Sequence, residues 1–429
     1  MAEETTAQTP AARLPADFWR FWAGQTISQL GSSFTNFAIP LLIFKLTGSA
    51  VKLGLASASV FVPYLLFGLV IGAWVDRLDR KRVMIVTDLL RGTSIAVIPL
   101  LSILGVLSVW AIYGVGFVSS TLGIFFTAGE FAALPSMVPK EDLVTANGRL
   151  FSSYSAAGVL GPLLAGLMVA VAPIETVFLV DAATFLISAA TLGAVRRSFN
   201  APSDRPRELG KIRQDVMEGL RFVLGDPVLR NISVMIAMVN FVLITVVSQL
   251  VFFSKVRLHA TDTQVGLLYA AGSVGIVIVG LLAPRVRKRW PFSKVVLGTL
   301  MVEGVLVIVL SAMRLYWVVL PLWAMTMGAD QLFDINTASL RQAIVPNELL
   351  GRVISIAGVL AWSAIPVGSV IGGFVIHATH NVALVFGVIG AIEFAIAFAF
   401  SFSPLGHAED YFPQPTGTEE RPTSAEPPP

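Results

Sequence analysis

Long runs of apolar residues alternate with short polar connections along almost the whole chain. Each run is about 20 residues or longer, the length that an α-helix needs to cross the hydrocarbon core of a bilayer. We place twelve such helices at residues 18–45, 52–74, 83–104, 108–134, 149–172, 175–195, 228–254, 264–283, 294–313, 316–340, 352–376 and 381–403. The pattern therefore predicts an all-α integral membrane protein with twelve transmembrane helices.

One polar connection is much longer than the others and separates six predicted helices from six. The predicted organisation is a tail at 1–17, a six-helix bundle at 18–195, a linker at 196–227, a second six-helix bundle at 228–403 and a tail at 404–429. Within the linker, apolar residues recur at spacings of three and four from Leu209 to Val223. This predicts an amphipathic helix on the membrane surface or packed beneath the bundle. The last tail is rich in Pro, Glu and Thr, so we expect it to be disordered.

Basic residues are concentrated in alternate connections. They are dense in Arg77–Arg82, in Arg285–Arg289 and in the linker, whereas the connections between these hold few. Lys and Arg accumulate on the cytoplasmic side of membrane proteins. We therefore expect both termini to lie in the cytoplasm.

Composition excludes several classes of function. Hydrophobic residues make up 55% of the 429 residues and charged residues only 13%, against about 25% charged residues in soluble domains. The net charge of +3 indicates no nucleic-acid partner. The chain has no cysteine, no phosphate-binding Gly-x-x-x-x-Gly-Lys-Ser/Thr motif and no nucleophile–base arrangement. We therefore predict neither an enzyme nor an ATP-driven pump, and no cofactor or metal; His377 and His380 are interpreted as interfacial residues.

The two predicted bundles share sequence features at a steady offset. The connection Gly72–Arg82 returns 208 positions later as Gly280–Arg289, and Val138-Pro139 returns 207 positions later as Val345-Pro346. Six helices per repeat is an even number, so the repeats are predicted to be parallel. Two such bundles can rock about a central site.

The connection after the second predicted helix carries a family signature. The matching residues are Gly72, Asp76, Arg77, Arg80 and Lys81, with Asp79 in the place of a second Gly. In these residues the chain resembles the major facilitator superfamily. The resemblance implies the major facilitator fold, transport by alternating access, and a cytoplasmic gate that includes this connection. A basic loop that serves only to orient the chain in the membrane is the alternative interpretation.

Other stretches are similar to bacterial drug:proton antiporters of the macrolide-efflux and enterobactin-exporter type. They are Glu130–Pro135, Ala146–Arg149, Gly161–Gly166 and Phe178–Phe185. On the fifth predicted helix, the residues that resemble the glycine–proline motif of antiporters are Gly158, Gly161, Pro162 and Gly166. Close packing between helices explains these small residues equally well.

Carboxylates within predicted helices need a reason to be there, because each costs about 2.5–3.5 kcal/mol near a helix centre. The candidates for proton coupling are Asp181, Glu303 and Asp330, and Glu393 also lies near the middle of its helix. The residues interpreted as gate or structural charges are Asp88, Arg91, Glu130 and Asp334. Asp88 and Arg91 are three apart on one helix face, so we expect them to pair. Structural pairing is also the alternative for each proton candidate.

Polar and aromatic residues on the first, seventh and tenth predicted helices are candidates for a substrate cavity. They are Gln25, Gln29, Asn36, Asn240, Trp323 and Gln331. Mixed amide and aromatic surface suits large amphiphilic compounds, which are often cationic. Hydrogen bonding between helices is the alternative use of each amide.

The sequence thus predicts proton-coupled efflux of amphiphilic small molecules, such as macrolides. We expect a monomer in the bacterial cytoplasmic membrane, with a small-molecule substrate, protons and membrane lipids as partners. Three alternatives stay open: a dedicated exporter of a siderophore or other metabolite, a lipid transporter, and a receptor with a transporter-like fold that does not transport.

Overall fold

The computed structural model describes residues 14–75, 77–200, 212–345 and 347–411. The long helices are α1 (Ala16–Thr47), α2 (Ala50–Val75), α3 (Arg80–Ile103), α4 (Val109–Met137), α5 (Leu143–Val171), α6 (Glu175–Ala194), α8 (Pro227–Ser248), α10 (Asp262–Arg289), α11 (Phe292–Ala312), α12 (Tyr316–Ile344), α13 (Asn347–Thr379) and α14 (Val382–Phe400). Two shorter helices are α7 (Ile212–Gly225) and α9 (Leu250–Val256). The predictions for residues 1–13, 201–211 and 412–429 and for Asp76 lie outside the described residues.

The twelve long helices correspond one to one to the predicted membrane-spanning segments, which confirms the predicted fold class. Among the described residues, eleven of them are long and apolar enough to cross a membrane. The remaining one is α12, which carries Asp330, Gln331 and Asp334. Several helices run past the predicted apolar ends because each added residue contributes a backbone hydrogen bond once a helix has formed.

The predicted helix 228–254 is wrong as a single helix. Gln249 separates α8 from α9 and has non-helical backbone angles of φ −100° and ψ 9°. Its side chain is fully buried, and Nε2 donates a hydrogen bond of 2.8 Å to the carbonyl oxygen of Ala50 on α2. The break therefore directs a polar side chain towards the other bundle, which a run of apolar residues does not reveal.

The helices form two bundles of six long helices that meet through a reciprocal pair of contacts. Helices α1–α6 pack as one bundle, and α8 together with α10–α14 as the other. Between the bundles, α2 packs against α13 and α5 against α10. The second helix of each repeat thus contacts the fifth helix of the other, as expected for two parallel repeats related by a pseudo-twofold axis.

The bundle pair has two chemically distinct ends. We call the end with the α2–α3, α4–α5, α10–α11 and α12–α13 connections the basic end, since Arg77–Arg82 and Arg285–Arg289 lie there. The other end, with the α1–α2 and α13–α14 connections, is called the opposite end. Residues on each helix can then be placed by their distance from these two ends.

At the opposite end the two bundles touch through glycines. A Cβ atom built on Gly266 of α10 would lie 2.5 Å from the carbonyl oxygen of Pro162 on α5. One built on Gly373 of α13 would lie 2.7 Å from the carbonyl oxygen of Ala50 on α2. Only glycine permits backbones to approach this closely. We call these two glycine contacts the opposite-end seam.

An ion-pair triad also crosses between the bundles at the seam. Both carboxylate oxygens of Asp262, at the start of α10, are bound: one by Lys45 Nζ of α1 and one by Lys255 Nζ of α9, each at 2.6 Å. Asp262 was not among the predicted site residues. In the sequence, Asp262 is marked only by its position directly after Thr261, the N-cap residue of α10.

The predicted amphipathic helix in the linker is present as α7 over its described part. Val223 is buried against Leu229 of α8 and Val353 of α13, whereas Met217 and Leu224 remain exposed. The helix therefore packs beneath the second bundle and keeps an apolar strip on its outer side. Packing beneath the bundle is thus observed, and contact of the exposed residues with a membrane surface stays a prediction.

The predicted disordered tail at 404–429 is wrong for its first eight residues. Pro404–Tyr411 forms short 3-10 turns that pack against α11 and α8. Leu405 is buried, and Glu409 accepts a hydrogen bond of 2.7 Å from the backbone N–H of Ser293 at the start of α11. A carboxylate at a helix N-terminus is stabilised there, which the Pro-rich composition does not indicate.

We predict that Gly266→Val lowers the thermal stability of the protein. The new side chain would collide with backbone of α5, which cannot move aside as a side chain can, and overpacking of this kind costs about 1–3 kcal/mol or more. The measurement is the melting temperature in detergent. Gly280→Val on the same helix is the control, because a Cβ atom there meets nothing within 4 Å. Equal melting temperatures for the two variants would refute the tight seam.

Candidate functional site

A cavity between the bundles is divided into two chambers. The basic-end chamber has a volume of about 570 Å³ and is walled by α2, α4, α8, α12 and α13. The opposite-end chamber has a volume of about 630 Å³ and is walled mainly by α1, α2, α3 and α4. Both volumes lie in the range typical of small-molecule sites.

Two aromatic residues form the partition between the chambers. Tyr64 of α2 and Trp362 of α13 pack edge to face, with ring centroids 5.7 Å apart, and both line each chamber. One ring belongs to each bundle, so a rocking motion of the bundles changes this contact directly. We call Tyr64 and Trp362 the aromatic partition.

The predicted cavity residues divide into two groups. Gln29 and Asn36 line the opposite-end chamber, and Asn240 lines the basic-end chamber. The Nδ2 atom of Asn240 also donates a hydrogen bond of 3.0 Å to the carbonyl oxygen of Ala361 on α13. These three positions suit substrate contact, which stays a prediction.

The other three predicted cavity residues lie elsewhere. Trp323 is buried, and a Cβ atom on Gly272 of α10 would lie 2.7 Å from its Nε1. Neither Trp323 nor Gln331 lines the two chambers, so their assignment to the cavity stays a prediction without a supporting contact. Gln25 donates a hydrogen bond of 3.1 Å to Ser188 and faces only a small side recess. Helix periodicity did not show which side of α12 faces α10.

The basic-end chamber holds the charges of α12. Asp330 and Asp334 line it at successive turns, and Arg341 lines it two turns beyond Asp334. No ion pair within 4.0 Å joins these residues in the described structure, and the buried Nε and Nη2 atoms of Arg341 have no hydrogen-bond partner. Asp330, one of the predicted proton-coupling residues, is therefore accessible from this chamber.

The first bundle contains a polar recess of about 140 Å³ between α1, α3, α4 and α5. Arg91 and Glu130 line it, and Tyr154 donates a hydrogen bond to the Glu130 carboxylate. The Arg91 guanidinium lies over the Phe185 ring, 4.3 Å from its centroid. The fully buried Asp88 carboxylate forms no direct ion pair with Arg91 among the described residues, but the Arg91 charge and the Ser188 side chain still act on it.

Asp181 joins α6 to α1. Its carboxylate accepts hydrogen bonds from the hydroxyl groups of Thr35 on α1 and Thr184 on its own helix. A Cβ atom on Gly31 would lie 2.6 Å from an Asp181 oxygen, so only glycine fits there. Asp181 is 1% exposed and lines neither chamber, which favours a structural use of this carboxylate.

Glu303 lies on α11, away from both chambers. It is fully buried beside Glu393 of α14, which is also fully buried. Glu393 lies near the middle of its helix but was not among the predicted site residues. Its proximity to Glu303 depends on the packing of α14 against α11, so no local sequence signal identifies it.

The basic residues of the signature connection bind backbone carbonyls. Lys81 Nζ donates hydrogen bonds of 2.6 Å to Val195 O and 3.4 Å to Gly193 O, at the C-terminal end of α6. Arg80 is buried, and its Nη1 donates to Phe199 O at 3.4 Å. Cations are stabilised at helix C-termini. These contacts hold the connection against its own bundle.

Asp79 explains how the connection turns without the second Gly of the signature. It is the N-cap of α3, with φ −69° and ψ 102°, and its side chain accepts a hydrogen bond of 3.1 Å from the backbone N–H of Arg82. An N-cap aspartate typically contributes about 1 kcal/mol. Gly72 lies within α2 and Arg77 directly after that helix, whereas the predicted latch residue Asp76 is outside the described part of the chain.

The antiporter-like residues of α5 face two different helices. Gly166 packs on Gly266 of α10. Gly158 faces Ser273 of the same helix, and a Cβ atom built on it would lie 3.6 Å from the Ser273 Oγ. Gly161 instead packs against Ser33 of α1. These residues therefore connect α5 both to its own bundle and across the seam, as the packing interpretation requires.

Comparison with known proteins agrees with this architecture. The chain matches the family described as "Transmembrane secretion effector" over residues 8–422. It is 26% identical to Macrolide efflux protein A of Streptococcus pyogenes over 358 residues, which cover 82% of this chain and 88% of that protein. It is 28% identical to the multidrug efflux pump Tap of Mycolicibacterium fortuitum, covering 80% of this chain and 85% of the pump.

Solved structures share the fold. The inward-facing structure of a bacterial homologue of the iron transporter ferroportin has a TM-score of 0.70 at 17% identity, covering 91% of this chain and 100% of that one. An inward-facing, occupied structure of a bacterial homologue of the human lysosomal transporter Spinster has a TM-score of 0.72 at 14% identity, covering 93% and 98%. The chain belongs to the transmembrane secretion effector family of the major facilitator superfamily and is a multi-pass membrane transporter, not an enzyme.

Proposed function

We propose that this protein, as a monomer, exports amphiphilic cationic small molecules from the bacterial cytoplasm in exchange for protons. The observation that carries the proposal is the wall of the basic-end chamber. There Asp330 and Asp334 stand among apolar and aromatic side chains that include Phe333 and Trp362. A large apolar molecule with a protonated amine is complementary to such a surface.

The distribution of basic residues supports a cytoplasmic basic end and cytoplasmic termini. With this orientation, the closed seam lies on the outer side of the membrane. The acidic chamber then lies towards the cytoplasm, where a substrate for export is collected. Surrounding lipids would contact the apolar side chains exposed on the outer faces of the helices, such as Leu281 and Phe398.

The relatives support drugs as substrates. Two of them are named a macrolide efflux protein and a multidrug efflux pump. Many macrolides carry a basic amino sugar on a large macrocycle, and this combination of positive charge and apolar surface is complementary to the chamber wall. We therefore propose macrolide-like compounds as the first substrates to test.

Proton coupling supplies the driving force in this proposal. One proton that enters down a membrane potential of about 150 mV releases roughly 3.5 kcal/mol, which sustains a concentration ratio of a few hundred for a neutral substrate. Export of a monovalent cation against the same potential costs the same energy. One-for-one exchange of such a cation is thus electroneutral and is driven by the pH difference alone.

The coupling role is proposed for Asp330, because it is the mid-helix carboxyl that the chamber reaches. A protonated Asp330 no longer attracts the cationic substrate, and an ionised one does. Substrate and proton would therefore compete for the same carboxylate. This competition is sufficient for obligatory exchange, provided that only the two occupied forms change conformation.

We predict that Asp330→Asn abolishes macrolide transport driven by a pH gradient in inside-out vesicles, to below a tenth of the wild-type rate. Substrate-for-substrate exchange without a gradient should also fall, because the asparagine mimics the protonated side chain, which no longer attracts the cationic substrate. Glu141→Gln in the α4–α5 connection is the control. Undiminished gradient-driven transport by Asp330→Asn would remove Asp330 from the coupling role.

We also predict that Trp362→Ala weakens drug binding. Loss of an aromatic face removes about 0.5–1.5 kcal/mol of stacking energy, which corresponds to a roughly two- to tenfold higher Kd. Trp362→Phe should retain most of the affinity because it keeps an aromatic ring against Tyr64. Titration of a fluorescent macrolide with the purified protein measures both. An identical Kd for the alanine variant would show that substrate does not contact the aromatic partition.

A further inference from the structure

Two carboxyl groups in the second bundle are enclosed without any of the partners that buried carboxylates normally have. Glu303 of α11 and Glu393 of α14 are both 0% exposed. None of their four oxygen atoms accepts a hydrogen bond from an N–H or O–H group of the described residues. No Lys, Arg or His of the described structure forms an ion pair with either glutamate.

The two carboxyl groups are neighbours: Glu303 and Glu393 flank the Gly304–Gly390 backbone contact between α11 and α14, and each acts on the other. Ionised carboxylates only accept hydrogen bonds, so two of them at this distance would repel each other with no donor between them. A single proton changes the balance, because a protonated carboxyl donates one O–H to its neighbour. The same solution is found wherever two close carboxyls cannot both ionise.

The two helices are packed too closely for the carboxyl groups to move apart. Gly304, next to Glu303, packs against Gly390, one turn before Glu393. A Cβ atom on Gly304 would lie 2.6 Å from Gly390 O, and one on Gly390 would lie 2.5 Å from Gly304 O. The backbones of α11 and α14 are therefore in direct contact, and this contact holds the carboxyl groups together.

The first bundle shows what a buried acid looks like when the protein supplies donors. Asp181 of α6 occupies the helix that corresponds to α14, and two threonine hydroxyls bind it. Glu130 is bound by the Tyr154 hydroxyl. The Glu303–Glu393 pair has no such donor, so in the second bundle the donor must be a proton carried by the pair.

We propose that Glu303 and Glu393 share one bound proton and form a proton site in the second bundle. Asp330 and Asp334 lie on α12, which packs against α11, and their negative charges oppose ionisation of Glu303.

The role of this site in transport rests on the proposed proton-coupled export, whereas its proton occupancy does not. The two claims can therefore fail separately. Glutamine is the matched substitution, because its amide keeps the shape of the carboxyl and supplies an N–H to the remaining glutamate. Both Glu303→Gln and Glu393→Gln should therefore fold.

Infrared difference spectroscopy of the purified protein in lipid nanodiscs at neutral pH tests the proposal. The wild type should show the C=O stretch of a protonated carboxyl, displaced in D₂O. Glu303→Gln and Glu393→Gln should each lose the equivalent of one protonated carboxyl per protein, whereas Glu141→Gln should lose none. If only one of the two glutamine variants folds, the carboxyl band of that variant tests the proposal.

An unchanged carboxyl band in the folded glutamine variants would overturn the proposal. It would also be overturned if the double variant Glu303→Gln/Glu393→Gln lost twice as much band as either single variant, which indicates two separate protons. Vesicle transport in the same variants tests the other claim. If the glutamine variants lose the band but wild-type transport does not respond to a pH gradient, the shared proton is supported and proton-coupled export is refuted. If wild-type transport is driven by the gradient but the variants keep the band, proton-coupled export is supported and the shared proton is refuted.

Discussion

The close approach of helix backbones at glycine is the interaction on which the rest of this structure depends. Lipid offers no hydrophobic driving force for association of apolar helices, so contact area and close packing must supply it. At the seam, Gly266 against Pro162 and Gly373 against Ala50 bring the bundles into backbone contact at the opposite end. Because α2–α13 and α5–α10 are the main contacts between the bundles, the interior between them remains open as the two chambers.

The same constraint determines where charge can lie. Charges that cross the seam are paired, as in the triad of Asp262 with Lys45 and Lys255. Charges at the chamber wall, Asp330 and Asp334, have the cavity as an alternative to a fixed partner. The Glu303–Glu393 pair has neither. In the proposed mechanism the Asp262 triad holds the bundles together, Asp330 and Asp334 bind the substrate, and the Glu303–Glu393 pair holds a proton.

Much of the fold could be predicted from the sequence, because hydrophobic length and the repeat at an offset of 208 are properties of the chain itself. The depth of Glu303, Asp330 and Glu393 also follows from counting residues along a helix. The face that a residue presents does not, because α12 turns Trp323 towards α10 and Asp330 towards the cavity. The burial of Asp88, the break at Gln249 and the docked Leu405 all depend on contacts between distant segments.

Alternating access requires that the seam opens when the basic end closes, and distances between spin labels test this most directly. The chain has no cysteine, so label pairs can be introduced freely. One pair is Leu46→Cys with Val256→Cys across the seam, and the other is Lys140→Cys with Gln342→Cys across the basic end; all four sites are exposed. When macrolide or pH is varied, the first distance should lengthen as the second shortens. Distances that stay fixed, or that change in the same direction, would contradict the account.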